Sequence, residues 1–224
     1  MFRDRQGFMQ GMNMYVPAMQ YASSLNANEG NIVTLGRPLA AGSNPQTINM
    51  PVNVSGYLPD PFVFTDTPYG RNIVVGVTTA PTGSTSIRVF GEDYLGQPMV
   101  EDFALAGGTG KKPFYRVLGA RGMPGHTTAV AAITVARGAN LSLPWKGSIE
   151  WAKEAGAFID LTFAKIVPAD LTDPATAATG DPRGQYIPTA APDGVKEYVI
   201  CLRPDGAMNA NNNGGLHGIR MYNA

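Results

Sequence analysis

Charge is scarce in this chain. Asp, Glu, Lys and Arg supply 15% of its 224 residues, against about a quarter in an average globular domain. The 17 basic and 17 acidic side chains cancel, so no net field draws in nucleic acid or an anionic membrane. Cysteine occurs once, as Cys201. One thiol closes no internal disulfide, which excludes a small domain stapled by such bonds. Between Ile200 and Leu202, Cys201 reads as a small buried core residue. No apolar run reaches the roughly 18 residues of a membrane-spanning helix. The opening MFRDRQGFMQGM carries charges but no apolar core, so a signal peptide is not expected.

Catalytic and metal-binding patterns are also missing. The two histidines, His126 and His217, stand at no zinc-site spacing from each other or from Cys201. His126 reads as a solvated loop residue. No Gly-x-Ser-x-Gly elbow occurs. Residues 106–112 (AGGTGKK) suggest a phosphate loop, but Leu105 sits where its first Gly is required, and Lys112 and Pro113 follow Lys111 where Ser or Thr and a helix belong. That stretch reads as a mobile turn. Asp170 and Asp173 lack the dense oxygen pattern of a calcium loop and read as turn residues. The pairs Glu92/Asp93 and Glu101/Asp102 are the nearest thing to a glycosidase carboxylate pair. Adjacent acids in a strand point to opposite faces, however. The chain is therefore read as a non-enzyme, with no catalytic, cofactor-binding or metal-ligating residue and no cofactor.

Strands and turns dominate what is present. With 27 Gly and 18 Pro, long helices are disfavoured. Apolar residues at 44% suffice for the core of one domain. Residues 71–105 alternate with period two and are read as an antiparallel meander: strands at 72–79, 86–90 and 99–105 with turns at 81–83 and 93–98. In the middle strand, Ile87 and Val89 share one face, Arg88 and Phe90 the other. Further strands are expected at 31–35, 47–54, 114–118, 127–136, 139–145, 158–167, 196–203 and 216–222. Pro51 marks the strand at 47–54 as an edge. Residues 57–69 read as a Pro-rich aromatic connection, 121–126 as a turn, and 148–157 as the one short helical segment. The expected fold is mainly β: an antiparallel β-sandwich or jelly-roll-like domain over residues 56–224, preceded over residues 1–55 by an extended N-terminal arm with edge strands.

The arm differs in composition from the rest. Five of the ten methionines fall within the first nineteen residues, interleaved with Phe and Tyr. Gly7, Gly11 and Pro17 break any helix there. So apolar a segment does not read as a free tail in water, and flexible Met side chains suit irregular contact surfaces. Phe8, Met9, Met12, Met14, Tyr15, Met19 and Tyr21 are accordingly read as an interface packed on a neighbouring subunit. The alternative is an irregular first strand folded back on the subunit's own core.

Several turn and strand signatures occur in sequence: GEDYLGQPMVEDFAL (residues 91–105), KPFYRV (112–117), LSLPW (141–145), IDLTFA (159–164), TGDPRGQYIP (179–188), PDGVKEYVI (192–200) and LHG (216–218). Together they resemble virion structural proteins of tailed bacteriophages, of the head-decoration or cement type. The likeness spans residues 71–222 and leaves the arm without a counterpart. It implies a non-enzymatic β-rich protein on the capsid exterior, cementing neighbouring capsomers. The implied partners are the major capsid protein and further copies of itself, as a homotrimer, with neither nucleic acid nor membrane. The implied location is the capsid surface of the virion, after assembly in the host cytoplasm. The alternatives are a phage tail or head-tail connector component, or a carbohydrate-binding β-sandwich displaying aromatics such as Tyr57, Tyr69, Trp145 and Trp151.

Overall fold

The computed structural model describes residues 31–144, 147–161, 166–167 and 183–204. Every regular element among them is a strand. In chain order these are β1 (Asn31–Gly36), β2 (Gln46–Pro51), β3 (Gly56–Val63), β4 (Arg71–Thr79), β5 (Ser86–Glu92), β6 (Pro98–Phe103), β7 (Gly108–Thr109), β8 (Arg116–Met123), β9 (Val130–Ser142), β10 (Gly147–Glu154), β11 (Ala157–Ile159), β12 (Ile166–Val167), β13 (Gln185–Tyr186) and β14 (Tyr198–Pro204). Their pairings are antiparallel throughout. The fold is the expected all-β, antiparallel one.

The 13-residue β9 is the spine. β4 runs along one side of it. β2 takes the first half of the other side and β13 the last two residues. Two stretches of β9, on either side of an irregularity in its pairing with β4, serve two separate cores. Ala131, Ile133 and Val135 enter the first, joined by Ile48, Met50, Ile73 and Val75 from the same sheet. The sheet β3-β8-β5-β6 closes this core from the opposite side with Phe62, Ile87, Val89, Met99, Phe103 and Val117. Leu141 enters the second core, where the sheet β1-β14-β10-β11 contributes Val33, Leu35, Ile149, Tyr198, Ile200 and Leu202. A fully buried branched side chain contributes roughly 1.5–3 kcal/mol, whereas an exposed ion pair gives about 1 kcal/mol or less. The two cores, not the surface charges, hold the fold.

Between the cores sits a buried charge cluster. β9 bulges against β4, so that two residues (Arg71 to Ile73) face a four-residue step (Leu141 to Arg137). Arg71 is fully buried. It pairs with Asp66 at 2.8 Å and donates to the carbonyls of Leu39, at 3.0 Å, and Gly138. Asp66 also accepts from the Leu39 amide at 2.9 Å and from Arg137 Nε at 3.3 Å. Burial opposes ionisation of Asp66 most strongly. The Leu39 amide and the two guanidinium groups together outweigh it and hold the carboxyl below its usual range.

Several expectations need correcting. Residues 71–105 do not form a meander: β4 pairs with β9 and β7, while β5 pairs with β6 and β8 in the opposite sheet. The connection after β4 crosses the sandwich instead of turning a hairpin. Residues 148–157 are not helical, because β10 lies along β14 from Gly147 to Glu154 and buries Ile149, Ala152 and Glu154. The strand expected at 47–54 ends at Pro51, leaving Val52 and Val54 exposed in the following turn. The supposed connection at 57–69 contains β3, and the supposed turn at 121–126 begins as the end of β8.

The glycine loop at 106–112 is no free turn either. Its Gly108 and Thr109 form β7 against Val75 and Val74. Gly107 makes this approach possible: its φ is +78°, and a Cβ there would lie 2.2 Å from the Val75 carbonyl oxygen. β1 and β2 fall in the segment 1–55, and their inward side chains belong to the two cores just described. β2 carries no second strand partner among the described residues, in keeping with an edge.

Candidate functional site

Glu101, on β6, turns inward and accepts from the backbone amides of Lys111, at 2.5 Å, and Lys112, at 3.3 Å. Burial outweighs these contacts and pushes its carboxyl up to about 7. Asp102 faces outward and holds Arg88 through two bonds of 2.7 and 2.9 Å. The adjacent acids thus face apart, as strand geometry requires. Asp93 accepts from the amides of Leu95 and Gln97 at 2.9 and 2.8 Å, and pairs with Arg183 at 3.3 Å. The neighbouring Tyr94 donates to the Pro144 carbonyl at 2.6 Å, and burial pushes its phenol up to about 12. Glu154 accepts from Tyr186 Oη at 2.7 Å and from the amides of Thr189 and Ala190 at 2.6 and 2.8 Å.

Glu101, Asp93 and Glu154 each fasten a loop or strand end through backbone amides, and Asp102 grips Arg88 across the strands. Among the described residues, no group of three or more His, Cys, Asp or Glu side chains is arranged to hold a metal ion.

His126 is not the solvated loop residue expected. It is fully buried, with Nε2 3.1 Å from the Met50 carbonyl oxygen. Cys201 is buried as expected, its Sγ 3.7 Å from Glu150 Oε2, and burial pushes the thiol pKa up. A thiol so placed is a poor nucleophile near neutral pH. Asp170, Asp173, His217, Trp145 and the interface residues Phe8, Met9, Met12, Met14, Tyr15, Met19 and Tyr21 lie outside the described residues.

The outer faces of the sheets carry more information. On β3-β8-β5-β6, an open trough of about 390 Å³ is lined by Ser55, Tyr57, Arg88, Phe90, Leu118 and Arg121, among others. Gly119 on β8 stands opposite both Tyr57 and Phe90. A Cβ at Gly119 would lie 2.8 Å from the Phe90 ring. Its absence lets the two rings meet edge to face over β8, centroids 5.3 Å apart. Tyr57 nevertheless stays 68% exposed. The alternation in β5 had placed Arg88 and Phe90 on one face. Tyr57 is among the aromatics the sequence offers for display, but its pairing with Phe90 is not legible there, because residues 57–69 read as a connection rather than a strand.

On β1-β14-β10-β11, the inward residues are Val33, Ile200 and Ala152; their neighbours point out. Ile32 stands opposite Cys201, and Cys201 opposite Trp151. The Trp151 ring meets Phe158 of β11 edge to face at 5.7 Å. An apolar row therefore crosses all four strands of this outer face. Ile32 and Phe158, at its two ends, are each 67% exposed. Lys153 Nζ lies 4.3 Å from the Phe158 ring centroid. Compared with known proteins, the chain is matched by no family model, no curated protein and no solved structure.

Proposed function

We propose that this chain is a structural virion protein of a tailed bacteriophage. It binds the capsid exterior and cements neighbouring capsomers through β-rich interfaces and its N-terminal arm, with the major capsid protein and other copies of itself as partners. The turn and strand signatures over residues 71–222 suggest the family. The observation that carries the reading is the apolar row Ile32–Cys201–Trp151–Phe158 across an outer sheet face. Cys201 is buried within the row, but exposed Ile32 and Phe158 flanking a half-buried Trp151 form an aligned apolar set of the kind that supports a contact surface.

The physics of cementing asks for little more. A specific contact buries roughly 1,600 Å² in total, and repetition around a closed shell multiplies weak contacts by avidity. Low charge leaves few side chains to desolvate at such a seam. A mass-spectrometric inventory of purified particles tests this reading directly. The protein is expected in fixed stoichiometry to the major capsid protein, and its absence from particles overturns the assignment. Electron microscopy then separates cement from its nearest alternative: threefold clusters mark cement, while sixfold or twelvefold rings mark a tail or head-tail connector component.

A second reading rests on the trough. An exposed Tyr57 beside Phe90, Arg88 and Arg121 is the kind of aromatic and polar lining that sugar-binding sandwiches use. A glycan array without binding disposes of it.

A further inference from the structure

We infer that the outer face of β1-β14-β10-β11 is the seat for the Met-rich leader, residues 1–30, of a second copy of this chain. The inference rests on the cementing role proposed above and deepens it by naming where the arm lands. The face offers an apolar row with exposed ends at Ile32 and Phe158 and with Trp151 between them. Mixed aliphatic and aromatic relief of this kind suits Met, Phe and Tyr, whose side chains adapt to irregular surfaces. The leader supplies those residue types as Phe8, Met9, Met12, Met14, Tyr15, Met19 and Tyr21. It carries Arg3, Arg5, Asp4 and Glu29 as its only charges, so burying its middle desolvates none.

Length and point of departure favour exchange between copies. The leader joins β1, an edge strand of this same sheet, at Asn31. Four strands about 4.8 Å apart present a face about 14 Å across, which some five extended residues span. Thirty residues reach about 100 Å when extended, several times what covering the protomer's own face requires. An arm that closed on its own protomer would also remove the adhesive surface that the proposed role needs.

The test uses two full-length variants. One disables the leader, as M12K/M14K/Y15K. The other disables the face, as I32K/F158K, at two positions exposed enough for lysine to be accommodated. Sedimentation of each alone, after circular dichroism and melting curves show it folded, is expected to give monomer where the unaltered chain assembles. Mixed, the two are expected to give a one-to-one heterodimer, because one intact leader meets one intact face. Assembly of either variant alone, or a mixture that stays monomeric, overturns the inference while leaving the cementing role intact. An unaltered chain that never assembles, alone or on capsids, overturns both. A melting curve that shows the face variant unfolded is met with I32S/F158S, which must give the same complementation for the inference to stand. Trp151 provides a second signal. In a W145F background its emission is expected to shift to the blue on assembly, and an unchanged spectrum contradicts a covered face.

Discussion

Trp151 and Phe158 meet edge to face on the solvent side of their sheet, centroids 5.7 Å apart, with Phe158 still 67% exposed. A pair so placed does little for the protomer. An aromatic pair adds about 0.5–1.5 kcal/mol when buried, and exposure leaves the lower end of that range. F158A is accordingly expected to lower monomer stability by about 0.5 kcal/mol, read from the urea midpoint of a dilute sample. A loss several times larger would assign Phe158 to the protomer's own core.

The cluster around Asp66 should behave in the opposite way. D66N keeps the shape but strips the negative charge that faces Arg71 and Arg137 at 2.8 and 3.3 Å. Two buried cations then lack compensation, at a cost of about 3–5 kcal/mol. Chemical denaturation measures it. The pH dependence follows from the direction of the shift. The folded carboxyl titrates below its usual value, so its contribution is present above the unfolded pKa of about 4. It is lost as pH falls through the lower folded value. D66N should flatten that acid limb.

Glu101 gives the reverse slope. Its carboxyl is pushed up from 4.5 to about 7 by burial, so the folded chain binds a proton that the unfolded chain has released. Stability from this group is highest below pH 4.5, falls as pH rises towards 7 and is flat above. E101Q, which keeps an oxygen to accept from the Lys111 amide, should remove this slope and melt at least as high as the unaltered chain at pH 8. Melting curves from pH 4.5 to 8 decide it.

Gly107 is expected to resist substitution. G107A places a Cβ 2.2 Å from the Val75 oxygen at a φ of +78°. The strain costs about 1–3 kcal/mol, and β7 should detach from β4 before the rest unfolds. Hydrogen exchange at the amides of β4 and β7 reports it.

Strands whose alternation is local were readable from the residues. β5 shows Ile87 and Val89 inward with Arg88 and Phe90 outward, and β14 shows Tyr198, Ile200 and Leu202 facing the core. Pairing partners were not readable. β4 and β5 follow each other closely yet belong to opposite sheets, because β4 finds its partner in β9, far along the chain. β10 reads as a helical segment in the sequence because its bulge between Ile149 and Trp151 breaks the period of two. Burial of polar side chains is hidden because their partners are remote in sequence. His126 is buried against Met50, 76 residues away, and Arg71 reaches Gly138, 67 residues away; no local pattern encodes either. The two outer-face surfaces depend on which sheet each strand joins, so they became visible only with the topology.

The proposed role requires that this protein work by covering surfaces. The most direct measurement adds the full-length chain to phage particles stripped of it, then follows co-sedimentation and the temperature at which the shells rupture. The account predicts saturable binding in fixed ratio to the major capsid protein and a higher rupture temperature, with both lost in I32K/F158K. A protein that stays in the supernatant and leaves the rupture temperature unchanged would contradict it.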